Sequence, residues 1–173
     1  MEQTFLPHLI LIAGLPGTGK SSVARAFVQR YGGVHINSDL LRNDMGLRGH
    51  YGSDDKKLVY QAMLAHTRKA LLEGQIAVVD STFILESTRT PFEEVARACQ
   101  VAFFWVEMHA SEDSLRERLM RPRSDSEADF SVFLSLRAQH EPIDRPHLEL
   151  WSDKMALEDM VECIRNYTLK TSL

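Results

Sequence analysis

The chain has 173 residues, 44% of them hydrophobic and 25% charged, which is ordinary globular composition and enough length for one domain with a real core. A formal net charge of −4 argues against broad electrostatic binding of nucleic acid, though a local basic groove stays compatible with it. No apolar run is long enough to span a bilayer, and Met1 to Pro7 lacks the basic segment and apolar stretch of a signal peptide.

The first strand is expected over about residues 8–13, the apolar His8-Leu9-Ile10-Leu11-Ile12-Ala13. Gly14-Leu15-Pro16-Gly17-Thr18-Gly19-Lys20-Ser21 follows and satisfies G-x-x-x-x-G-K-[ST], the phosphate-binding P-loop. Behind it, Val23, Ala24, Phe27, Val28 and Tyr31 recur at helical spacing, and Gly32-Gly33 stops that helix. The motif thus lies between strand and helix, where its backbone N–H groups and the helix N-terminus can hold an anion. Residues 14–22, Ser22 included, are the expected nucleotide-binding set. Lys20 can reach the β- and γ-phosphates, and the Ser21 hydroxyl can ligate Mg²⁺.

Val34 to Asn37 reads as a second strand, and Leu40, Leu41, Asp44 and Met45 as a short helix. A Gly-rich loop from Gly46 to Gly52 carries Arg48, His50 and Tyr51. Ser53-Asp54-Asp55 reads as the capped start of a helix with Leu58, Ala62, Ala65 and Leu72 on one face, widened by Val59, Met63 and Ala70. Gln75 to Asp80 is apolar without alternation, as in a parallel sheet buried on both faces. A helix over about Ser87 to Cys99, a strand over Val101 to Met108, and a helix from Ser111 through Leu119 come next. After a loop at Arg121 to Ser126, a helix is expected over about Glu127 to His140, a fifth strand over Leu148 to Trp151, and a last helix around Leu157 to Ile164. Strands alternating with helices predict a doubly wound α/β domain with a parallel sheet, one domain over residues 1–173.

Three features bear on the reaction. Asp39 falls just past the second strand, on the edge of an open parallel sheet where ligands bind. A carboxylate there can take the proton of a hydroxyl that attacks a γ-phosphate, and Arg42 can hold an anionic part of the acceptor. The other reading of these residues is an N-cap Ser or Asp followed by a solvated arginine. Asp80 ends the third strand, where an acid can hold Mg²⁺ through water, or can cap the turn at Ser81 and Thr82. Arg116, Arg118, Arg121 and Arg123 cluster at a helix end and the following loop, a lid of about residues 118–129. Arg118 and Arg121 share a face and are the candidates for neutralising phosphate charge; cations at a helix C-terminus are the alternative, and Arg116 is read that way. Arg89 is a candidate for the acceptor, against the plainer reading of a helix-surface arginine. Phe83, Tyr51 and Trp105 read as core or loop anchors.

Cys99 and Cys163 fall in helical patterns without C-x-x-C and read as buried, reduced thiols of a cytoplasmic protein. The seven histidines show no pair at metal-ligand spacing, which argues against zinc; His109, near the ligand edge, reads as structural.

On these residues the chain resembles the small P-loop kinases of the AAA-type ATP-binding group, which includes polynucleotide kinase, chloramphenicol phosphotransferase and zeta toxin. Gly14 to Ser21 matches the P-loop, and Ser38-Asp39 with Arg42 matches the acid that serves that group as general base. Val79 to Phe83 resembles its acid-ended third strand, and Leu115 to Arg121 its lid helix. Ser126 to Pro142 resembles the segment after the lid in members including some fused to aminoglycoside-phosphotransferase-like domains. The lid there often places a second arginine four residues after the first, a position held here by Pro122 between Arg121 and Arg123. The resemblance implies sheet order 2-3-1-4-5, ATP and Mg²⁺ as cofactors, and transfer of the γ-phosphate to a hydroxyl. Acceptors in that group range from nucleic-acid 5′-hydroxyls to antibiotics and sugar nucleotides. A small-molecule acceptor is the expected partner; a polynucleotide 5′-hydroxyl kinase and a nucleotide-binding switch with slow hydrolysis are the alternatives. Oligomeric state is not legible.

Overall fold

The computed structural model describes residues 6–121 and 129–170. Five strands, β1 (His8–Ala13), β2 (Val34–Asn37), β3 (Ala77–Asp80), β4 (Ala102–His109) and β5 (Leu148–Trp151), form one sheet in the order β2-β3-β1-β4-β5. All four pairings are parallel. The expected fold class and strand order are both found. β1 is central, so every strand flanking it ends on the edge where the P-loop begins.

The lack of alternation in β1 and β3 has its cause in the two layers of helices. Leu9, Leu11, Ala13, Val79 and Trp105 face α3 (Ser53–Leu72) and α4 (Glu86–Ala98). Ile10, Ile12, Val78, Val106 and Met108 face α1 (Lys20–Tyr31) and α7 (Leu157–Lys170). Each fully buried aliphatic side chain contributes roughly 1.5–3 kcal/mol, so the central strands are fixed on both faces. Among the described residues, no helix is long and apolar enough to cross a membrane.

Three shorter or longer helices complete the chain: α2 (Ser38–Asp44), α5 (Glu112–Leu119) and α6 (Phe130–Gln139). Several expectations shift. The buried face of α3 is Val59, Met63, Thr67, Ala70 and Leu71, while Leu58 and Leu72 are exposed. The apolar residues of that helix cover more than half its circumference, so spacing alone places the stripe about one residue off. Its N-cap is Gly52, not Ser53. Both cysteines are free and only partly buried.

Candidate active site

The P-loop geometry follows from its glycines. Gly14 sits at φ +151°, and a Cβ there would lie 2.6 Å from the Met108 carbonyl oxygen, so no larger residue fits against β4. Gly19, at φ 90°, is the N-cap of α1 and offers no side chain to its first turn. The opening amides of α1 are therefore left for an external acceptor. Thr18 closes the loop on itself, its hydroxyl donating to the Leu15 carbonyl at 2.8 Å. Lys20 Nζ reaches the same carbonyl at 3.4 Å.

Asp80 is 1% exposed at the end of β3, and its carboxylate gathers three neighbours. Ser21 Oγ donates to Oδ1 at 3.1 Å. Asn37 Nδ2 donates to Oδ2 at 2.7 Å, and His35 Nε2 lies 2.6 Å from the same oxygen. Strand register accounts for this, because Asn37 pairs with Asp80 and His35 with Val78 across β2 and β3. Asn37 and His35 carried no role in the sequence reading. Neighbouring strands end level in a parallel sheet, so the order β2-β3 is the signal that points to them.

A hydroxyl and a carboxylate oxygen 3.1 Å apart suit a hard cation. Adjacent ligands around an octahedral ion with bonds of 2.0–2.1 Å are about 3 Å from each other. Ser21 and Asp80 thus fit Mg²⁺, the first directly and the second directly or through water.

The two readings of the segment after β2 now separate. Asn37, not Ser38 or Asp39, caps α2: its side-chain oxygen accepts from the Leu40 N–H at 2.8 Å. Arg42 is 6% exposed rather than solvated. Its Nη1 donates to the His50 carbonyl at 2.5 Å, and its guanidinium lies 4.6 Å from the Tyr51 ring centroid. Arg42 thereby anchors the loop between α2 and α3.

Lys20, Ser21, Ser22, Asp39, Arg42 and Asp80 all line one cleft of about 910 Å³. Tyr51, Lys56, Lys57 and Gln61 also line it. Residues of the segment 81–92, including Thr82, Ser87 and Thr88, line it as well. Ser135, Leu136 and Gln139 of α6 contribute a further side.

The arginines divide. Arg118 reaches back to the P-loop, with Nη1 donating to the Gly17 carbonyl at 3.0 Å and to Ser152 Oγ at 2.7 Å. Arg121 is 75% exposed and paired with Glu117 at 2.5 Å, one turn back on its own helix. It is not brought to the cleft lining. The lid expected over 118–129 is described only through Arg121 and from Asp129 onward, and Arg123 lies outside the described residues.

Arg89 is not a helix-surface arginine, and it is not among the residues that line the cleft. Its side chain is fully buried. Nε donates to the Phe83 carbonyl at 2.7 Å, Nη1 to Pro142 at 2.9 Å, and Nη2 to Ile84 at 3.3 Å and to Glu141. Phe83 has φ 46°, which a bulky residue adopts only when its surroundings impose it. Phe83, itself buried, packs edge-on against Phe92 and Trp105. Arg89 clamps the turn after β3, and with it one wall of the cleft, to the segment after α6. Phe83 and Trp105 are core anchors as expected.

The model of the AAA domain family, a P-loop kinase family, matches residues 9–143. This chain belongs to that AAA domain family. An uncharacterized protein of Mycobacterium tuberculosis is 27% identical over 153 residues, covering 81% of this chain but 31% of the relative. The chain therefore spans about a third of the length of the curated relatives it matches. Solved structures show the same P-loop kinase fold. One is the APS kinase of Mycobacterium tuberculosis in complex with AMPPNP and APS (TM-score 0.71, 17% identity, 93% of this chain and 96% of the other). Others are a gluconokinase from Sinorhizobium meliloti (0.68, 21%, 96% and 98%) and a putative kinase from Chloroflexus aurantiacus (0.73, 17%, 98% and 99%).

Proposed function

We propose that this AAA domain is an ATP-dependent phosphotransferase that moves the γ-phosphate to a hydroxyl of a small-molecule acceptor. The observation that carries the reading is the shared cleft: Lys20, Ser21, Asp80 and Asp39 all line it. A nucleotide switch has no use for a second carboxylate beyond the phosphate site. Similarity to the fold of an APS kinase and a gluconokinase supports the same class.

In this reading the amides of Gly17 to Ser21 and the Lys20 ammonium bind the phosphates. Ser21 and Asp80 would hold Mg²⁺, which would neutralise phosphate charge. His35 and Asn37 keep the Asp80 carboxylate turned toward Ser21. Asp39 accepts the proton of the acceptor hydroxyl as its oxygen attacks. Arg42, Lys56 and Lys57 give the acceptor side of the cleft positive charge, which favours an acceptor carrying an anionic group. Arg118 secures the P-loop through the Gly17 carbonyl. Arg121 joins the phosphates only by leaving Glu117, a surface pair worth about 0–1 kcal/mol.

The test is ADP formation from ATP and Mg²⁺ across a panel of sugar acids, nucleosides, sulfated nucleotides, aminoglycosides and 5′-hydroxyl oligonucleotides. Acceptor-dependent turnover with a phosphorylated small product is the expected result. Slow hydrolysis indifferent to every acceptor would overturn the kinase reading, and phosphorylation of oligonucleotides alone would move it to a polynucleotide 5′-kinase.

A further inference from the structure

Sequence spacing gave no reason to join the histidines, but the fold gathers three of them around one carboxylate. β4 and β5 end side by side, with Glu107 opposite Glu149 and His109 opposite Trp151. His147 immediately precedes β5, and His140 caps α6. His109 Nε2 is 3.6 Å and His147 Nε2 3.5 Å from Glu107 Oε2. His147 Nε2 is also 3.3 Å from Glu149 Oε1, and His140 Nε2 is 3.1 Å from Glu107 Oε1. One ligand atom each from Glu107, His109 and Glu149 lie within 4.8 Å of one another.

Hydrogen bonding does not account for the arrangement. The Nε2 atoms of His109 and His147 are buried, and neither makes a hydrogen bond. His147 Nδ1 lies 2.8 Å from the Arg145 carbonyl oxygen. A carbonyl only accepts, so Nδ1 carries the hydrogen and the Nε2 of the neutral ring is a bare lone pair. That lone pair faces the carboxylates of Glu107 and Glu149, and like charge density at such distances repels. Either a proton or a cation must lie between them.

The geometry favours the cation. A ligating histidine anchored by its other N–H on a backbone carbonyl is the usual outer support of a metal site. Ligands on a tetrahedral ion with bonds of 2.0–2.1 Å are about 3.4 Å apart, and the distances from His109 to Glu107 and from His147 to Glu107 and Glu149 run from 3.3 to 3.6 Å. We propose that Glu107, His109 and Glu149 bind one divalent transition-metal ion, zinc by ligand type, with His147 against both carboxylates as a further donor that the ion can draw in. The two carboxylates balance its charge, and His140 holds the other oxygen of Glu107, Oε1. Glu149 is 58% exposed, which leaves a way in from solvent. None of the four lines the cleft. The ion would instead stiffen the β4–β5 end: the His109 carbonyl accepts from the Ser152 N–H at 3.0 Å, and Ser152 in turn holds Arg118.

The experiment uses the full chain without a histidine tag, stripped with chelator, then titrated with zinc by calorimetry and with Co²⁺ by visible absorption. One zinc per chain, a rise in Tm and intense tetrahedral d–d bands from Co²⁺ are expected. His147→Ala and His109→Ala should each weaken zinc binding by roughly tenfold or more. Glu149→Gln, on an exposed side chain, should do the same and protects the test against variants that fail to fold. His66→Ala, on the exposed side of α3, and Asp80→Asn, at the P-loop cation site, should leave zinc binding unchanged. No zinc uptake by the parent chain would overturn the site and leave protonated histidines to fill its place. Uptake that survives His109→Ala and His147→Ala combined would overturn it equally.

Discussion

Asn37 joins Asp80 to the helix that carries Asp39: its amide donates to the Asp80 carboxylate at 2.7 Å, while its oxygen caps α2 through the Leu40 N–H at 2.8 Å. One side chain thus sets the relation between the cation-holding acid and the proposed base. Asn37→Ala should cost about 0.5–2 kcal/mol for the cap and leave Asp80 a donor short. Asn37→Asp keeps a good cap but sets a second carboxylate against Asp80. The Mg²⁺ concentration for half-maximal turnover should change in the aspartate variant, whose like charge beside the buried Asp80 should also lower Tm. Equal Mg²⁺ dependence in both variants and the parent would dissociate Asn37 from the cation site.

Asp39→Asn removes basicity and keeps size. Because Asn37 caps α2, the change should leave the helix and ATP binding intact. Transfer should fall on the order of 10²–10⁴-fold, the usual contribution of a positioned base. Near-normal transfer by the folded variant, measured with a working acceptor, would take Asp39 out of the mechanism.

Lys20→Ala should weaken ATP binding by the value of a charge-assisted contact, roughly 1.5–3 kcal/mol, and abolish transfer. Calorimetry is the direct check. Unchanged ATP affinity with normal turnover would rule out a phosphate role for Lys20.

Arg42→Lys retains charge but loses the fork that holds the His50 carbonyl and stacks on Tyr51. Raised acceptor KM, on the order of tenfold, with ATP affinity unchanged is the expected split. A loss of ATP affinity instead would place Arg42 on the nucleotide side.

The Glu86 carboxyl is held below its usual range, first by its hydrogen bond from Arg145. A depressed folded pKa gives stability that is full above the unfolded value, about 4.3 for Glu. That stability is lost as pH falls through the folded value. Thermal melts from about pH 6 to pH 3 should therefore show Glu86→Gln losing less Tm on acidification than the parent chain. Parallel curves would mean the Arg145 pair contributes nothing to acid sensitivity.

The P-loop and the strand pattern were legible because each is local: Gly14 to Ser21 forms its loop from its own backbone, and β1 and β3 announce two-sided burial by their unbroken apolar runs. Asp80 was legible as the last residue of β3, and Asp39 as a carboxylate two residues past the end of β2. What the sequence hid depends on partners distant along the chain. His35 and Asn37 act on Asp80 only through the β2–β3 register. Arg89 looks like any helix arginine until Pro142 and Glu141 fold over it. The N-cap of α2 was misplaced because Asn37, Ser38 and Asp39 are all good caps, and the choice among them is made by where β2 stops.

The buried Arg89 clamp bears on how acceptor specificity could be redesigned. The wall formed by residues 81–92 is fixed by a guanidinium spent on four carbonyls and by a left-handed Phe83 in the aromatic core. Substitutions there would disturb folding before they altered choice of acceptor. Tyr51, Lys56, Lys57 and Gln61, by contrast, line the cleft from exposed positions in α3 and the loop before it. A library aimed at new acceptors should randomise those four positions and leave residues 81–92 alone, with ATP handling preserved in most of its members.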